Sequence, residues 1–168
     1  MDADLSTDLA ALPALVEALI QSSCPPERSE VPIHRDSSIR PYALAIGSRL
    51  LRPELTTRSF KRESISRCYN ALIRLMFPHV TFSDAQCGFK ATTRDAAQAL
   101  LPHVHDNEWF FDTELLILAE HHGYRIFDLP VRWIERHENA VAAFLMVGLI
   151  AGWSYKIALM AGIVRIRP

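Results

Sequence analysis

Residues 42–49 read YALAIGSR. The apolar run at residues 42–46 predicts a short buried β-strand, which is expected to end at Gly47-Ser48-Arg49. A turn of this kind can present backbone N–H groups and a guanidinium to a phosphate group. An ordinary turn with an exposed arginine is the alternative interpretation.

On both sides of this strand, apolar residues recur at helical spacing. Helices are predicted from Ser6 or Thr7 to residue 20, over residues 64–77, from Thr93 or Asp95 to residue 101, and over residues 110–122. A second strand is predicted at residues 125–133, where Pro130 favours an edge position. This alternation of helices with short strands indicates an α/β fold.

The composition is that of a globular protein. The chain has 168 residues, of which 49% are hydrophobic and 22% are charged, and this suits one domain with its own core. A formal net charge of −1 gives no electrostatic argument for binding nucleic acid. Cys24, Cys68 and Cys87 lack the spacing of metal ligands, so we predict reduced thiols in a cytosolic environment.

Two further segments have their own character. Residues 21–41 show no periodicity and are predicted to form a flexible loop. Residues 140–153 are uncharged and apolar, and Lys156 separates them from a second apolar run. A membrane-spanning helix needs about 20 apolar residues. We therefore predict that residues 136–168 form an apolar helical tail that contacts a membrane or packs on the protein, with a true span as the alternative.

The chain begins with Met-Asp-Ala-Asp. The spacing of Asp2 and Asp4 lets both carboxylates reach one hard divalent cation, which could neutralise a diphosphate leaving group. Helix capping is a second interpretation, because aspartate is common at helix starts. A phosphatase-type nucleophile motif is a third, although that chemistry needs an apolar strand just before the first aspartate.

A basic segment lies between residues 49 and 74, where seven Arg and Lys residues face only two Glu residues. Lys61, Arg62 and Arg67 lead into a predicted helix. Cations at a helix start oppose the helix dipole, so these three are predicted to hold an anionic ligand. A solvated basic face is the alternative.

Two short polar segments are candidates for binding. Residues 84–90, DAQCGFK, bring Asp84, Gln86 and Lys90 together, and Cys87 among them has no neighbouring base that would make it a nucleophile. Residues 109–114, WFFDTE, place two carboxylates at a helix start. Helix capping by the first carboxylate explains that pattern structurally, and a substrate-binding or catalytic role is the alternative.

Six stretches, taken in order, resemble the family-2 glycosyltransferases with a GT-A fold. The branch is the one that transfers sugars to polyprenyl phosphates, such as the dolichyl-phosphate mannosyl- and glucosyltransferases. The stretches are MDADLSTDL, AIGSRL, KRESISRCYNALIR, SDAQCGFKA, WFFDTELLILAEHHGYRI and LPVRW. The resemblance implies that residues 1–135 are the C-terminal portion of a Rossmann-like GT-A domain, with an incomplete, mostly parallel sheet and flanking helices.

The resemblance also implies roles for individual residues. Asp2 and Asp4 would bind Mg²⁺ or Mn²⁺ on the nucleotide-sugar diphosphate, and Arg49 would lie near the sugar or the phosphates. The cations of the predicted helix would meet the lipid phosphate. The other members of the predicted site are Asp84, as the carboxylate that assists catalysis, together with Gln86, Lys90, Asp112 and Glu114, as residues that line or shape the substrate pocket.

The implied activity is transfer of a sugar from a UDP-glucose or GDP-mannose type donor to polyprenyl or dolichyl phosphate, with inversion at the anomeric carbon. A phosphate acceptor is already anionic at neutral pH, so no strong general base is needed. The implied partners are the donor, the lipid phosphate and the membrane surface, and the implied location is the cytoplasmic face of a membrane. The oligomeric state stays open.

One departure from the family pattern affects activity. In the family, a nucleotide-binding part of roughly two or three βα units precedes the Asp-x-Asp strand, and we expect this chain to lack it. A truncated and catalytically inactive fragment is therefore the alternative hypothesis, and a metal-dependent phosphatase is a distant one.

Overall fold

The structure is a computed structural model that describes residues 7–23, 41–57, 60–108 and 110–134. Its helices are α1 (Leu12–Ser23), α2 (Phe60–Met76), α3 (Arg94–Leu100) and α4 (Phe111–His121). Its strands are β1 (Tyr42–Ser48), β2 (Thr56–Thr57), β3 (Lys90–Thr92), β4 (Arg125–Pro130) and β5 (Trp133–Ile134). The described part is thus a mixed α/β structure, as predicted.

The predicted strand at residues 42–46 is the centre of a three-stranded sheet with the order β3-β1-β4. It pairs antiparallel with β3 and parallel with β4. The strand runs two residues further than predicted because Gly47 and Ser48 continue the pairing, opposite Leu129 and Pro130. Strands β2 and β5 form a separate parallel pair. The three-stranded sheet is thus mixed, with one parallel and one antiparallel pairing, and is not the mostly parallel sheet that was predicted.

The helices pack on both faces of this sheet. On one face, Leu44 and Ile46 of β1 share an apolar cluster with residues of α2, α3 and α4, including Tyr69, Leu100 and Leu116. On the other face, a second cluster joins Ala45 to Leu15 and Leu19 of α1, together with Cys87, Phe89, Val131 and Trp133. Because β1 is buried on both sides, it reads as a continuous apolar run without polar alternation.

Gly47 permits a close approach between β1 and its neighbours. A Cβ atom at this position would lie 3.0 Å from Val131 Cγ1 and 3.2 Å from Phe89 Cδ1. The backbone N–H of Gly47 also donates to the Phe89 carbonyl at 2.7 Å. The glycine therefore allows close packing of β1 on the second cluster.

Several predicted boundaries differ from the structure. Helix α1 extends to Ser23 and so includes the first residues of the predicted loop at 21–41. Strand β3 was not predicted, because three residues are too few to show a period. Capping of α4 by Asp112 was wrong: the N-cap position is Phe110, and the Phe110 N–H donates to Asp106 Oδ1 at 3.1 Å.

Gly123, in contrast, follows α4 in the left-handed conformation at φ 76°, as expected for a residue just past a helix end. Within the described ranges, none of the helices has the length and apolar character needed to cross a membrane. The predicted tail at residues 136–168 lies outside the described residues.

Candidate functional site

The predicted site residues lie where the parallel strands β1 and β4 end, which we call the carboxyl edge of the sheet. Strands β1 and β4 are parallel, so Ser48 and Pro130 end side by side, and the Val131 N–H donates to the Ser48 carbonyl at 3.1 Å. Arg49 follows β1 directly, and Trp133 lies three residues beyond β4. Ligands of open α/β sheets bind outside the carboxyl ends of parallel strands, and this is the edge where the predicted residues occur.

Arg49 and Asp84 form a bidentate ion pair although they are 35 residues apart in sequence. Arg49 Nε donates to Asp84 Oδ2 at 2.7 Å, and Nη2 donates to Oδ1 at 2.9 Å. The Arg49 backbone N–H adds a third bond to Oδ2 at 3.2 Å. The Asp84 side chain is 0% exposed and that of Arg49 is 12% exposed. The pair therefore fixes the guanidinium in a largely water-free position.

The charge state of Asp84 follows from these contacts. Burial by itself raises the pKa of this carboxyl, but the Arg49 guanidinium, through its charge and its hydrogen bonds, holds the pKa below the usual aspartate value. The backbone N–H of Gln86 donates to Oδ1 at 3.3 Å and acts in the same direction. Asp84 is thus an ionised anchor that is a poor proton acceptor at neutral pH.

An aromatic ring completes the environment of Arg49. The guanidinium carbon lies 4.9 Å from the centre of the Trp133 ring, within the range of cation–π attraction. Trp133 belongs to the LPVRW stretch, but its contact with Arg49 was not predicted, because the sequence shows neither distance nor ring orientation.

Lys90 and Asp112 form a second ion pair beside the first. Lys90 Nζ lies 2.9 Å from Asp112 Oδ1 and donates to the Ala85 carbonyl at 3.1 Å. Burial lowers the pKa of the Lys90 ammonium, and Asp112 opposes that shift. The Asp112 side chain is 34% exposed. Lys90 therefore connects the segment around Asp84 to a carboxylate of α4 that water reaches.

The structure thereby brings together five of the predicted residues: Arg49, Asp84, Gln86, Lys90 and Asp112. Gln86 and Lys90 join this group through hydrogen bonds within residues 84–90. The Gln86 N–H donates to Asp84, and Lys90 Nζ donates to the Ala85 carbonyl. Grouping of residues 84–90 was expected from their proximity in sequence. The convergence with Arg49 and Asp112 is a product of the fold.

Comparison with known proteins shows which proteins this chain is similar to. The glycosyltransferase AglD of Haloferax volcanii is 37% identical over 140 residues, which cover 83% of this chain and 19% of that protein. The dolichyl-phosphate beta-glucosyltransferase of Drosophila melanogaster is 40% identical over 107 residues, or 62% of this chain and 32% of that protein. The enzyme of the same name from Saccharomyces cerevisiae is 36% identical over 97 residues, or 55% and 28%.

The chain belongs to the family-2 glycosyltransferases. Two of the three relatives are dolichyl-phosphate beta-glucosyltransferases by name, and the predicted resemblance was to the branch that contains such enzymes. The chain spans about a fifth to a third of the length of these three relatives. No family model matches the chain, and no solved structure matches it.

Four residues, Ser48, Ser83, Asn70 and Asp128, make anchoring contacts in this glycosyltransferase chain that were not predicted. The Ser83 backbone N–H donates to Asp128 Oδ2 at 2.7 Å, and the hydroxyls of Ser83 and Ser48 are 2.6 Å apart. Asn70 Oδ1 accepts the Ala85 N–H at 3.0 Å. Asn70 does lie in the stretch KRESISRCYNALIR, but a single amide in an amphipathic helix carries no signal that it contacts a distant loop.

Glu114 has a different position from the other predicted residues. Its Oε2 accepts the backbone N–H groups of His105 and Asp106 at 3.1 and 2.8 Å. This carboxylate is buried and holds the loop that precedes α4. The predicted role of Glu114 in shaping the glycosyltransferase site stays a prediction, and its observed contacts are with the backbone.

The basic residues of α2 were predicted to hold an anionic ligand. Arg67 is exposed and donates to Glu63 Oε1 at 2.7 and 2.9 Å. Arg62 is half-buried in the first turns of the helix, and the side chain of Lys61 lies outside the described atoms. Because α2 begins at Phe60, both Lys61 and Arg62 occupy its first turn, where the helix dipole disfavours cations.

The predicted metal ligands, Asp2 and Asp4, lie outside the described residues. In the part of the chain that the structure describes, there is no cluster of three or more His, Cys, Asp or Glu side chains that could hold a metal ion. The ion pairs described above use their carboxylates on cationic side chains instead.

Cys87 is a core residue in this arrangement. Its side chain is buried in the cluster with Phe89 and Val131, and burial raises the pKa of the thiol to about 11. At neutral pH the group is therefore a thiol, which is a poor nucleophile. This agrees with the prediction that Cys87 is not a nucleophile.

Proposed function

We propose that this chain serves the transfer of a sugar from a nucleotide-sugar donor of the UDP-glucose or GDP-mannose type to a polyprenyl or dolichyl phosphate. The observation that carries the proposal is the Arg49 guanidinium, held by buried Asp84 at the carboxyl edge of the sheet. The names of the relatives from fly and yeast supply the acceptor class and the hexose.

The proposed reaction forms one bond and breaks one. An oxygen of the lipid phosphate attacks the anomeric carbon in line with the departing group, so configuration inverts. The bond from that carbon to the diphosphate oxygen breaks, and the nucleoside diphosphate leaves with the electron pair. The acceptor oxygen is already anionic, so the step requires no strong base. Catalysis then consists of holding two anionic groups together.

Arg49 binds a phosphate or sugar oxygen in this proposal. Since Asp84 fixes the guanidinium before the substrate arrives, little conformational entropy is lost on binding. Asp84 acts through Arg49 as a positioning residue, because its lowered pKa and complete burial make it a weak base. The catalytic role predicted for Asp84 is thus retained in the proposal as an indirect one.

Other groups supply the net positive charge. Asp84 offsets the charge of Arg49, so two anionic substrates need further cations nearby. We assign this role to Lys61, Arg62 and Arg67 of α2, on the side of the lipid phosphate. The polar groups of Gln86, Lys90, Asp112 and Glu114 line or shape the donor pocket in the proposal.

A divalent cation belongs to the proposal as well. Asp2 and Asp4 would hold Mg²⁺ or Mn²⁺, which would supply charge to the leaving diphosphate. Carboxylate oxygens are suitable ligands for these hard cations. The proposed location is the cytoplasmic face of a membrane.

The test is transfer of radiolabelled glucose or mannose from the nucleotide sugar to dolichyl phosphate in detergent, with Mg²⁺ or Mn²⁺ present. We expect labelled lipid to form with the wild-type chain, and to fall by about a hundredfold or more in Arg49→Met, the loss seen when one charge-stabilising donor is removed. The matched control is Arg94→Met, which removes an exposed arginine of α3 and should leave the rate unchanged.

The need for a divalent cation is tested with Asp4→Ala and with excess EDTA, each of which should abolish transfer. Absence of transfer by a wild-type chain whose circular dichroism shows a folded protein would contradict the proposal and favour the inactive-fragment hypothesis. Release of inorganic phosphate from an aryl phosphate would favour the phosphatase hypothesis instead.

A further inference from the structure

Asn70 connects helix α2 to the segment that carries Asp84. The residue is 3% exposed. Oδ1 accepts the Ala85 backbone N–H at 3.0 Å, and Nδ2 donates to the Ser66 carbonyl at 2.9 Å, one turn earlier in the same helix. The second bond fixes the orientation of the amide, so that its oxygen faces the loop.

Asp84 lies between two anchored peptide N–H groups. On one side, the Ser83 N–H donates to Asp128 Oδ2 at 2.7 Å. On the other, the Ala85 N–H donates to Asn70. The two anchors come from different elements, β4 and α2, on either side of a residue that belongs to no helix or strand. A loop residue fixed at both neighbours loses the backbone freedom that would otherwise loosen its side chain.

We propose that Asn70 is a positioning residue that holds the guanidinium of Arg49 in place from helix α2, through Ala85 and the Asp84 carboxylate. The inference rests on the proposed function to the extent that α2 also carries the cations assigned to the lipid phosphate. Asn70 then sets the relative position of the two anion-binding groups, Arg49 at the sheet edge and the basic first turns of α2.

A role of Asn70 that is limited to the stability of α2 predicts a different effect on Arg49. Tyr69 is the neighbour of Asn70 in α2, is 1% exposed and bonds to Thr113 Oγ1 of α4 at 2.9 Å. Tyr69→Phe removes this buried hydrogen bond of the same helix and leaves the bond between Asn70 and Ala85 in place. It is therefore the matched control: if Asn70 only stabilises α2, the two variants should affect Arg49 equally.

The second variant is Asn70→Ser. A serine hydroxyl can donate to the carbonyl four residues earlier, so it can replace the bond to Ser66. It is too short to replace the bond to Ala85. Asn70→Ser thus isolates the contact with the loop, whereas Asn70→Ala removes both contacts.

The experiment measures hydrogen exchange of the Arg49 Nε–H by NMR, with no substrate present. We expect the exchange rate to rise about tenfold in Asn70→Ser and in Asn70→Ala, as for loss of one hydrogen bond, and to change less than about twofold in Tyr69→Phe. Equal rates in wild type and Asn70→Ser would overturn the proposal, and so would an equal rise in Tyr69→Phe.

A measurement on the wild-type chain covers the case in which the Asn70 variants do not fold. The Ala85 amide should exchange at least about a hundredfold more slowly than an exposed amide, because its partner is buried; an unprotected Ala85 amide would overturn the proposal. These readouts need no enzymatic turnover. A chain that shows the expected exchange pattern but transfers no sugar would contradict the proposed function and leave the role of Asn70 intact.

Discussion

Arg49 and Asp84 form the single interaction whose removal should matter most for stability. Breaking a buried ion pair by removing one partner leaves an uncompensated charge in the interior. We therefore expect Asp84→Asn to lower the free energy of unfolding by about 3–5 kcal/mol, measured by urea denaturation. Glu63→Gln removes the carboxylate of the exposed pair with Arg67 and should cost about 0.5 kcal/mol or less. Equal losses in the two variants would contradict the buried-pair interpretation.

The pH dependence of this pair has a definite sign. The pKa of Asp84 is lower in the folded chain than the ordinary value of 3.8. Its contribution to stability is therefore complete above pH 3.8 and declines as the pH falls toward the folded-state pKa. The loss at low pH should be absent in Asp84→Asn, measured as urea midpoints between pH 5 and pH 3 in both proteins.

The pKa of Asp128 is shifted in the opposite direction to that of Asp84. Burial raises the pKa of this carboxyl, although its bonds to Ser83 oppose the shift, and Oδ1 is buried with no hydrogen-bond partner. A raised carboxyl pKa destabilises the folded state at pH values above it. We expect Asp128→Asn to raise the urea midpoint at pH 7, since an amide oxygen can still accept the Ser83 N–H, and the gain should disappear near pH 3. A loss of stability at pH 7 would show that the charge itself is needed.

At the scale of the elements, strand β1 depends on the absence of a side chain at Gly47. The added methyl group of Gly47→Ala would press on Val131 Cγ1 at 3.0 Å. Overpacking of this kind typically costs about 1–3 kcal/mol, which we expect as a lower urea midpoint. The double variant Gly47→Ala/Val131→Ala should recover part of the loss, because the second change makes room for the first. Strictly additive effects would contradict this contact.

Helix α2 has a buried surface and an exposed surface, which make different contacts. Its buried surface bonds to α4 through Tyr69 and to the segment around Asp84 through Asn70. Its exposed surface carries Arg67, paired with Glu63. In the proposal, a change of Asn70 therefore reaches the ion pair of Arg49, whereas a change of Arg67 on the exposed surface alters local charge.

At the scale of the whole molecule, the two apolar clusters share strand β1 and should unfold together. Cys87 is buried in one of them, while Cys68 on α2 is exposed. In a Cys24→Ser background at pH 8, we expect a thiol reagent to modify Cys68 rapidly and Cys87 only as urea unfolds the chain. The labelling midpoint of Cys87 should match the circular-dichroism midpoint. Rapid modification of Cys87 in the native state would contradict its burial.

The sequence by itself determined the elements whose signal is local. The apolar run of β1, the helical spacing of α2 and α4, and Gly123 after α4 each depend on neighbouring residues, and all appear in the structure. The family was also accessible from the sequence, because short motifs in a fixed order are a property of the chain alone.

The tertiary structure decided which side chains meet. Arg49 reaches Asp84 across 35 residues, and Ser83 reaches Asp128 across 45; no spacing rule encodes either distance. The same applies to Asn70 and to Trp133, whose contacts with Ala85 and Arg49 join residues that are distant in sequence. Periodicity fixes which face of an element is buried, whereas the partner of a buried polar group is set only when distant elements pack together.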